Sequence, residues 1–208
     1  MAKLESTLKN MLISLGGIAL VCALLLAVVN ALTEKKIARV QAEKTAQAIA
    51  RVVPEFEGEP VDTLVALGSK EYAVHKVMEA DSTVGYAIEV APAGFGGTIS
   101  MMVGFDAEGG ICSTAVISHS ETPGLGAKIT EEESHFRTQF AGKNPADYRL
   151  SVTKDGGDVD AITASTITSR AFTAGVAEAY NVYLAVAGSS ADAVSSATPQ
   201  AGEGESDE

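Results

Sequence analysis

The longest uninterrupted apolar stretch runs from Met11 to Leu32, MLISLGGIALVCALLLAVVNAL, 22 residues without a charge. At about 1.5 Å of rise per residue, a helix of that length crosses the roughly 30 Å hydrocarbon core of a bilayer. Lipid offers no partner for open backbone groups, so a transmembrane helix is predicted. The pattern then changes. From Thr33 to Val53 the apolar Ile37, Val40, Ile49 and Val53 recur near helical spacing with charges between them. This predicts a stalk helix that lays one face on a domain and is stopped by Pro54. Short runs rich in β-formers follow: Tyr72 to Met78, Val84 to Val90, Thr98 to Phe105 and Ile111 to Ile117. Turn-formers separate them at Asp81-Ser82, at Ala93 to Gly97 and at Asp106 to Gly110. Such sequential runs suit an antiparallel meander. Glu131 to Phe140 predicts a short helix with acidic residues in its first turn, where the helix dipole favours them. Tyr148 to Lys154 predicts another strand, and the weakly charged Ile167 to Ala187 a buried helix.

The expected organisation is a short N-terminal segment (1–10), a transmembrane helix (11–32), a stalk helix (33–56), a folded domain (57–187) and a disordered acidic tail (188–208). The tail is Ser, Ala, Gly and acid with no basic residue. The fold class is α+β, mainly an antiparallel sheet with packed helices, preceded by the one membrane helix.

Charge narrows the functions. The chain carries −12; residues 1–32 contribute Lys3, Lys9 and Glu5, so the remainder carries −13. That surface argues against nucleic acid and against a domain lying flat on anionic lipid. Cys22 falls in the span and Cys112 alone in the domain, so no disulfide within the domain is possible. With no CxxC and three scattered histidines, no metal site is expected. Val29-Asn30-Ala31 has the small-residue look of a signal-peptide cleavage site, but the apolar run exceeds the usual 7–15 residues or so of such a peptide, and a retained anchor is expected. Lys35, Lys36, Arg39, Lys44 and Arg51 follow the span against Lys3 and Lys9 before it. The positive-inside count taken alone favours a cytoplasmic domain.

No nucleophile–base pair and no hydrolase motif is visible, so no catalytic residue is assigned. His75, His119 and His135 are expected to be structural or on the surface. The unusual stretch is Asp160-Ala-Ile-Thr163-Ala164-Ser165-Thr166-Ile167-Thr168-Ser169-Arg170. Ordinary N-capping is the commoner use of a hydroxyl at a helix start, but it needs only one such residue. Four hydroxyls between Thr163 and Thr168 also suit a phosphate, which the amides and dipole of a helix N-terminus attract.

Asp160 to Ser169 resembles the flavinylation motif of FMN-binding domains: Ser/Thr-Gly-Ala-Thr, an apolar residue, Thr and Ser. In that family the last Thr of the four is esterified to the phosphate of FMN. The matching residue is Thr166, with Thr168 as the alternative acceptor; Thr163 fits the first position, and Ala164 and Ser165 stand where Gly and Ala are usual. His119 to Lys128, with Glu121-Thr122-Pro123-Gly124-Leu125-Gly126, resembles the family's loop beside the isoalloxazine ring, and Phe95-Gly96-Gly97 its aromatic-Gly-Gly segment. The resemblance implies covalent FMN, contacted by Thr163, Ser165, Thr166, Ile167 and Thr168 on one side and by Glu121, Thr122, Gly124, Leu125 and Gly126 on the other. The anchor, size and order of parts are similar to the G subunits of Rnf complexes, which exchange electrons between ferredoxin and NAD and couple this to sodium or proton transport. The C subunits of the sodium-pumping NADH:quinone oxidoreductase share the domain but are usually longer, and rank second. The resemblance further implies partner subunits in the membrane, a flavin transferase for maturation, and a domain facing the periplasm from the inner membrane, against the lysine count.

Overall fold

A computed structural model describes residues 8–53, 60–79 and 82–195. Two compact units divide the chain, Met1–Thr45 and Ala46–Glu208. The first unit is helical through its described residues and belongs to α1 (Leu8–Val52). The apolar window of α1 is fully exposed and long enough to cross a membrane. The span and the stalk are thus one unbroken helix, ending at Val52; Pro54, the expected stop, lies outside the described residues.

The second unit is built on a five-stranded antiparallel meander in the order β1 (Val61–Leu67), β2 (Lys70–Glu79), β3 (Ser82–Val90), β4 (Ser100–Asp106) and β5 (Ile111–Ser118). Strand alternation sorts the side chains onto two faces. Val74, Ile88, Met101, Val103 and Phe105 join a core with α3 (Thr166–Ser195), whose Phe172, Val176, Ala179, Val182, Tyr183 and Val186 follow the helical repeat along one face. Val77, Ala87, Met102, Ala115 and Ile117 form a smaller core with Ala48, Ile49, Val52 and Val53. Of the four residues expected to line the stalk's packed face, Ile49 and Val53 are buried but Ile37 and Val40 are exposed, so the packed face is confined to the last two turns.

Other expectations need correction. β1 was not foreseen: it is an edge strand, exposed almost throughout, and so lacks a one-sided apolar alternation. A two-residue turn at Gly68-Ser69, with Gly68 at φ 65°, joins it to β2. The helix expected over 131–140 is a single turn, α2 (His135–Thr138), without acid in its first turn. Glu131, Glu132 and Glu133 are exposed and offer nothing to pack; only Phe136 and Phe140 enter the core. Residues 148–154 are not a sheet strand. Val152 instead bridges Val159, and Arg149 pairs with Asp158, so this segment closes on the return arm of its own loop. Finally, α3 runs on past Ala187 to Ser195, into the segment expected to be a disordered tail; residues 196–208 lie outside the described ones.

Candidate functional site

Three segments converge on a cleft of about 420 Å³: the turn between β3 and β4, the loop after β5, and the start of α3. Its volume is within the roughly 300–1,000 Å³ of small-molecule sites. The cleft is lined by Phe95, by Glu121, Thr122, Leu125 and Gly126, and by Ala164 to Thr168. Phe95, Leu125 and Ile167 expose apolar surface there, 67%, 42% and 53% of each residue.

The α3 wall is shaped by one unusual backbone angle. Ala164 has φ 62°, the only described non-glycine residue on the positive side. This left-handed turn ends the loop and releases the chain into the helix at Thr166. Ser169 holds the loop from the other side: its hydroxyl accepts the Ile162 amide at 2.9 Å and donates to the Ser165 carbonyl at 3.0 Å. Sequence reasoning missed this clamp, which joins residues seven apart across a turn and leaves no periodic trace.

The amides of Ser165 and Ser169 find backbone partners at Ile162 and Ser165, whereas those of Thr166, Ile167 and Thr168 make no hydrogen bond among the described residues. Ordinary capping does not account for the hydroxyls here. Neither Thr163, Ser165 nor Thr166 makes a side-chain hydrogen bond among the described residues, so three amides at the positive end of a 30-residue helix stand open. Thr166 is half-buried at the cleft wall. Thr168 is 2% exposed and its Oγ1 donates to Glu121 Oε2 at 2.6 Å. The two threonines therefore differ in kind: one is accessible with a free hydroxyl, the other is buried and engaged.

Glu121, 5% exposed, also accepts the Gly96 amide at 2.9 Å on Oε1. The glycines near it have distinct reasons. A Cβ on Gly126 would meet Glu121 Oε2 at 2.5 Å and Thr168 Oγ1 at 2.8 Å, so its close approach is to this pair of side chains. Gly124 has open space around it but φ 74°, as the turn closed by Leu125 N–H to Thr122 O requires. Thr163 and Gly124 are outside the lining, while the other expected cofactor contacts share one cleft. None of the histidines is itself in the lining. His75 is buried against Asp62 at 2.6 Å, His135 sits 3.4 Å from Asp160, and His119 Nδ1 accepts the amide of the lining residue Glu121 at 3.1 Å. No metal-binding cluster occurs among the described residues.

This donor set fits FMN in two respects. The open amides at a helix N-terminus suit a phosphate, and the apolar Phe95, Leu125 and Ile167 suit a flat ring. Residues 94–181, which hold every lining residue, match the FMN-binding domain family, and residues 1–52 match the RnfG N-terminal region. The G subunit of the ion-translocating oxidoreductase complex of Shewanella amazonensis is 36% identical over 181 residues, covering 81% of this chain and 84% of that one.

The chain belongs to the family of G subunits of ion-translocating oxidoreductase complexes.

The Haemophilus influenzae G subunit is likewise 36% identical, over 76% of this chain and 82% of its own length. A crystal structure of the C subunit of the Na⁺-translocating NADH-quinone reductase from Parabacteroides distasonis aligns with a TM-score of 0.47 at 18% identity, over 70% of this chain and 83% of that one. Both of these G subunits are 36% identical over most of the chain, so of the two resemblances raised by the sequence the one to G subunits stands.

Proposed function

We propose that this G-type chain carries FMN in phosphoester linkage to Thr166 and relays electrons within an Rnf-type membrane complex that couples ferredoxin/NAD electron transfer to sodium or proton translocation. The observation that carries the site assignment is the free, accessible Thr166 hydroxyl beside three open amides at the start of α3. FMN, when bound, supplies the redox chemistry, and the chain positions it. The amides of Thr166, Ile167 and Thr168 hold the phosphate, each through a charge-assisted bond stronger than a neutral one. Phe95, Leu125 and Ile167 give the ring an apolar seat in a cleft that stays open to an electron partner.

The ester joins Thr166 Oγ1 to phosphorus: a flavin transferase moves the flavin phosphate from a flavin dinucleotide onto the hydroxyl, which loses its proton as the P–O–P bond breaks and the nucleoside monophosphate leaves. The ester keeps the cofactor from leaving an open site. No small substrate is needed, since electrons arrive from one redox centre of the complex and leave for another. The membrane helix docks on the other subunits, and the domain faces the periplasm from the inner membrane. The test is peptide mapping of the chain produced beside a flavin transferase. Cleavage after Lys154 and Arg170 releases residues 155–170. Fragmentation of that peptide should place a flavin phosphate on Thr166; a flavin on any other residue, or none, overturns the assignment.

A further inference from the structure

Glu121 is a carboxylate buried without a cation: no ion pair to it occurs among the described residues. Its partners are instead one donor from each neighbouring segment. The Gly96 amide belongs to the turn that presents Phe95, and the Thr168 hydroxyl to the helical turn that presents Thr166. Glu121 itself lies in the loop that presents Leu125. We propose that Glu121 is a positioning residue for the cofactor, a single carboxylate that clasps the ring-side turn and loop to the phosphate-side helix. The inference rests on the reading that FMN occupies this cleft.

The space around the carboxylate is made for it. A Cβ on Gly94 would fall 2.3 Å from Oε1, and one on Gly126 2.5 Å from Oε2. Both glycines are thus required by the clasp, whichever ligand the cleft holds. A negative group beside the first turn of α3 is favoured by the helix dipole, and both bonds are charge-assisted. The same charge lines the cleft. A fixed negative charge disfavours added electron density on whatever is bound beside it, so it holds the flavin potential down.

The test compares the full chain with Glu121→Gln and Glu121→Ala. Gln keeps the shape and an acceptor for the Gly96 amide but removes the charge; Ala removes both. Amide hydrogen exchange is measured on flavin-free protein. In the Ala variant the Gly96 amide and the Ser169 amide, the first hydrogen-bonded one of α3, should exchange more than about tenfold faster, as loss of charge-assisted bonds implies. In the Gln variant, which keeps neutral partners for both segments but not the charge, exchange should fall between wild type and the Ala variant. In flavin-loaded chain, the Gln variant should retain its covalent flavin and show a higher midpoint potential, which a merely structural residue would not give. Unchanged exchange in the Ala variant, or an unchanged potential in the Gln variant, overturns the proposal. The exchange measurement needs no flavin. A chain in which Thr166 carries nothing, but in which Glu121→Ala frees both segments, sinks the Thr166 assignment and supports the clasp.

Discussion

Ala164 shows what a single residue can cost and fix. Its φ of 62° is a conformation that a side chain with a Cβ adopts at a cost of about 1–2 kcal/mol. The FMN-binding motif usually has Gly at this position, and the backbone explains why: the turn into α3 needs the left-handed region. Ala164→Gly should therefore stabilise the folded chain by about 1 kcal/mol, less the entropy that glycine adds to the unfolded state. Chemical unfolding monitored by circular dichroism checks this, and a destabilised Gly variant would mean the loop does not hold this angle. Cys112 is a second residue-level case. Burial, with Asp106 and Glu108 nearby, pushes its thiol up from 9.0 to about 11. A raised folded value means stability present below the unfolded pKa and lost as pH rises through the folded one. The chain should lose stability between pH 9.0 and about 11, and Cys112→Ser should remove that part of the loss. At about pH 8, below the ordinary thiol range, alkylation of Cys112 should be far slower in native than in denatured protein; equal rates would contradict the burial.

At the scale of elements, packing decided what the chain pattern alone could not. The meander from β2 to β5 was legible because its strands are runs of β-formers bounded by turn-formers, and the long α3 because its core residues recur at helical spacing. β1 was not, because an exposed edge strand is held by its hairpin partner rather than by burial. The segment at 148–154 misled for the opposite reason: its β-formers are real, but their partner is the loop's own return arm. In the site, Thr166 and Glu121 were legible as motif residues, whereas the difference between Thr166 and Thr168 and the clasp itself depend on hydrogen bonds between segments distant in sequence. The end of α1 meets the sheet at Gly104, where an added Cβ would stand 1.7 Å from the Val52 carbonyl oxygen. Gly104→Ala must push the last turn of α1 off β4, at an overpacking cost of about 1–3 kcal/mol. A lowered thermal midpoint, with faster amide exchange at Val52 and Val53, is the expected result.

On the scale of the whole molecule, a membrane helix precedes an acidic domain whose cleft exposes Phe95, Leu125 and Ile167. The positive residues that follow the span argue for one orientation and the family resemblance for the other. The proposed function requires the outward one. A reporter fused after Phe56 should be active only outside the cytoplasm, and activity confined to the cytoplasm would reverse the assignment. The central claim, that Thr166 is the residue bearing the cofactor, has a more direct test. Wild type, Thr166→Ala and Thr168→Val are each produced at full length beside a flavin transferase, denatured, and run on a gel under ultraviolet light. Thr168→Val keeps the shape of a buried residue while removing its hydroxyl, and Thr166→Ala removes the free hydroxyl that opens the helix. Wild type and Thr168→Val should fluoresce and Thr166→Ala should be dark; a fluorescent Thr166→Ala band would contradict the account.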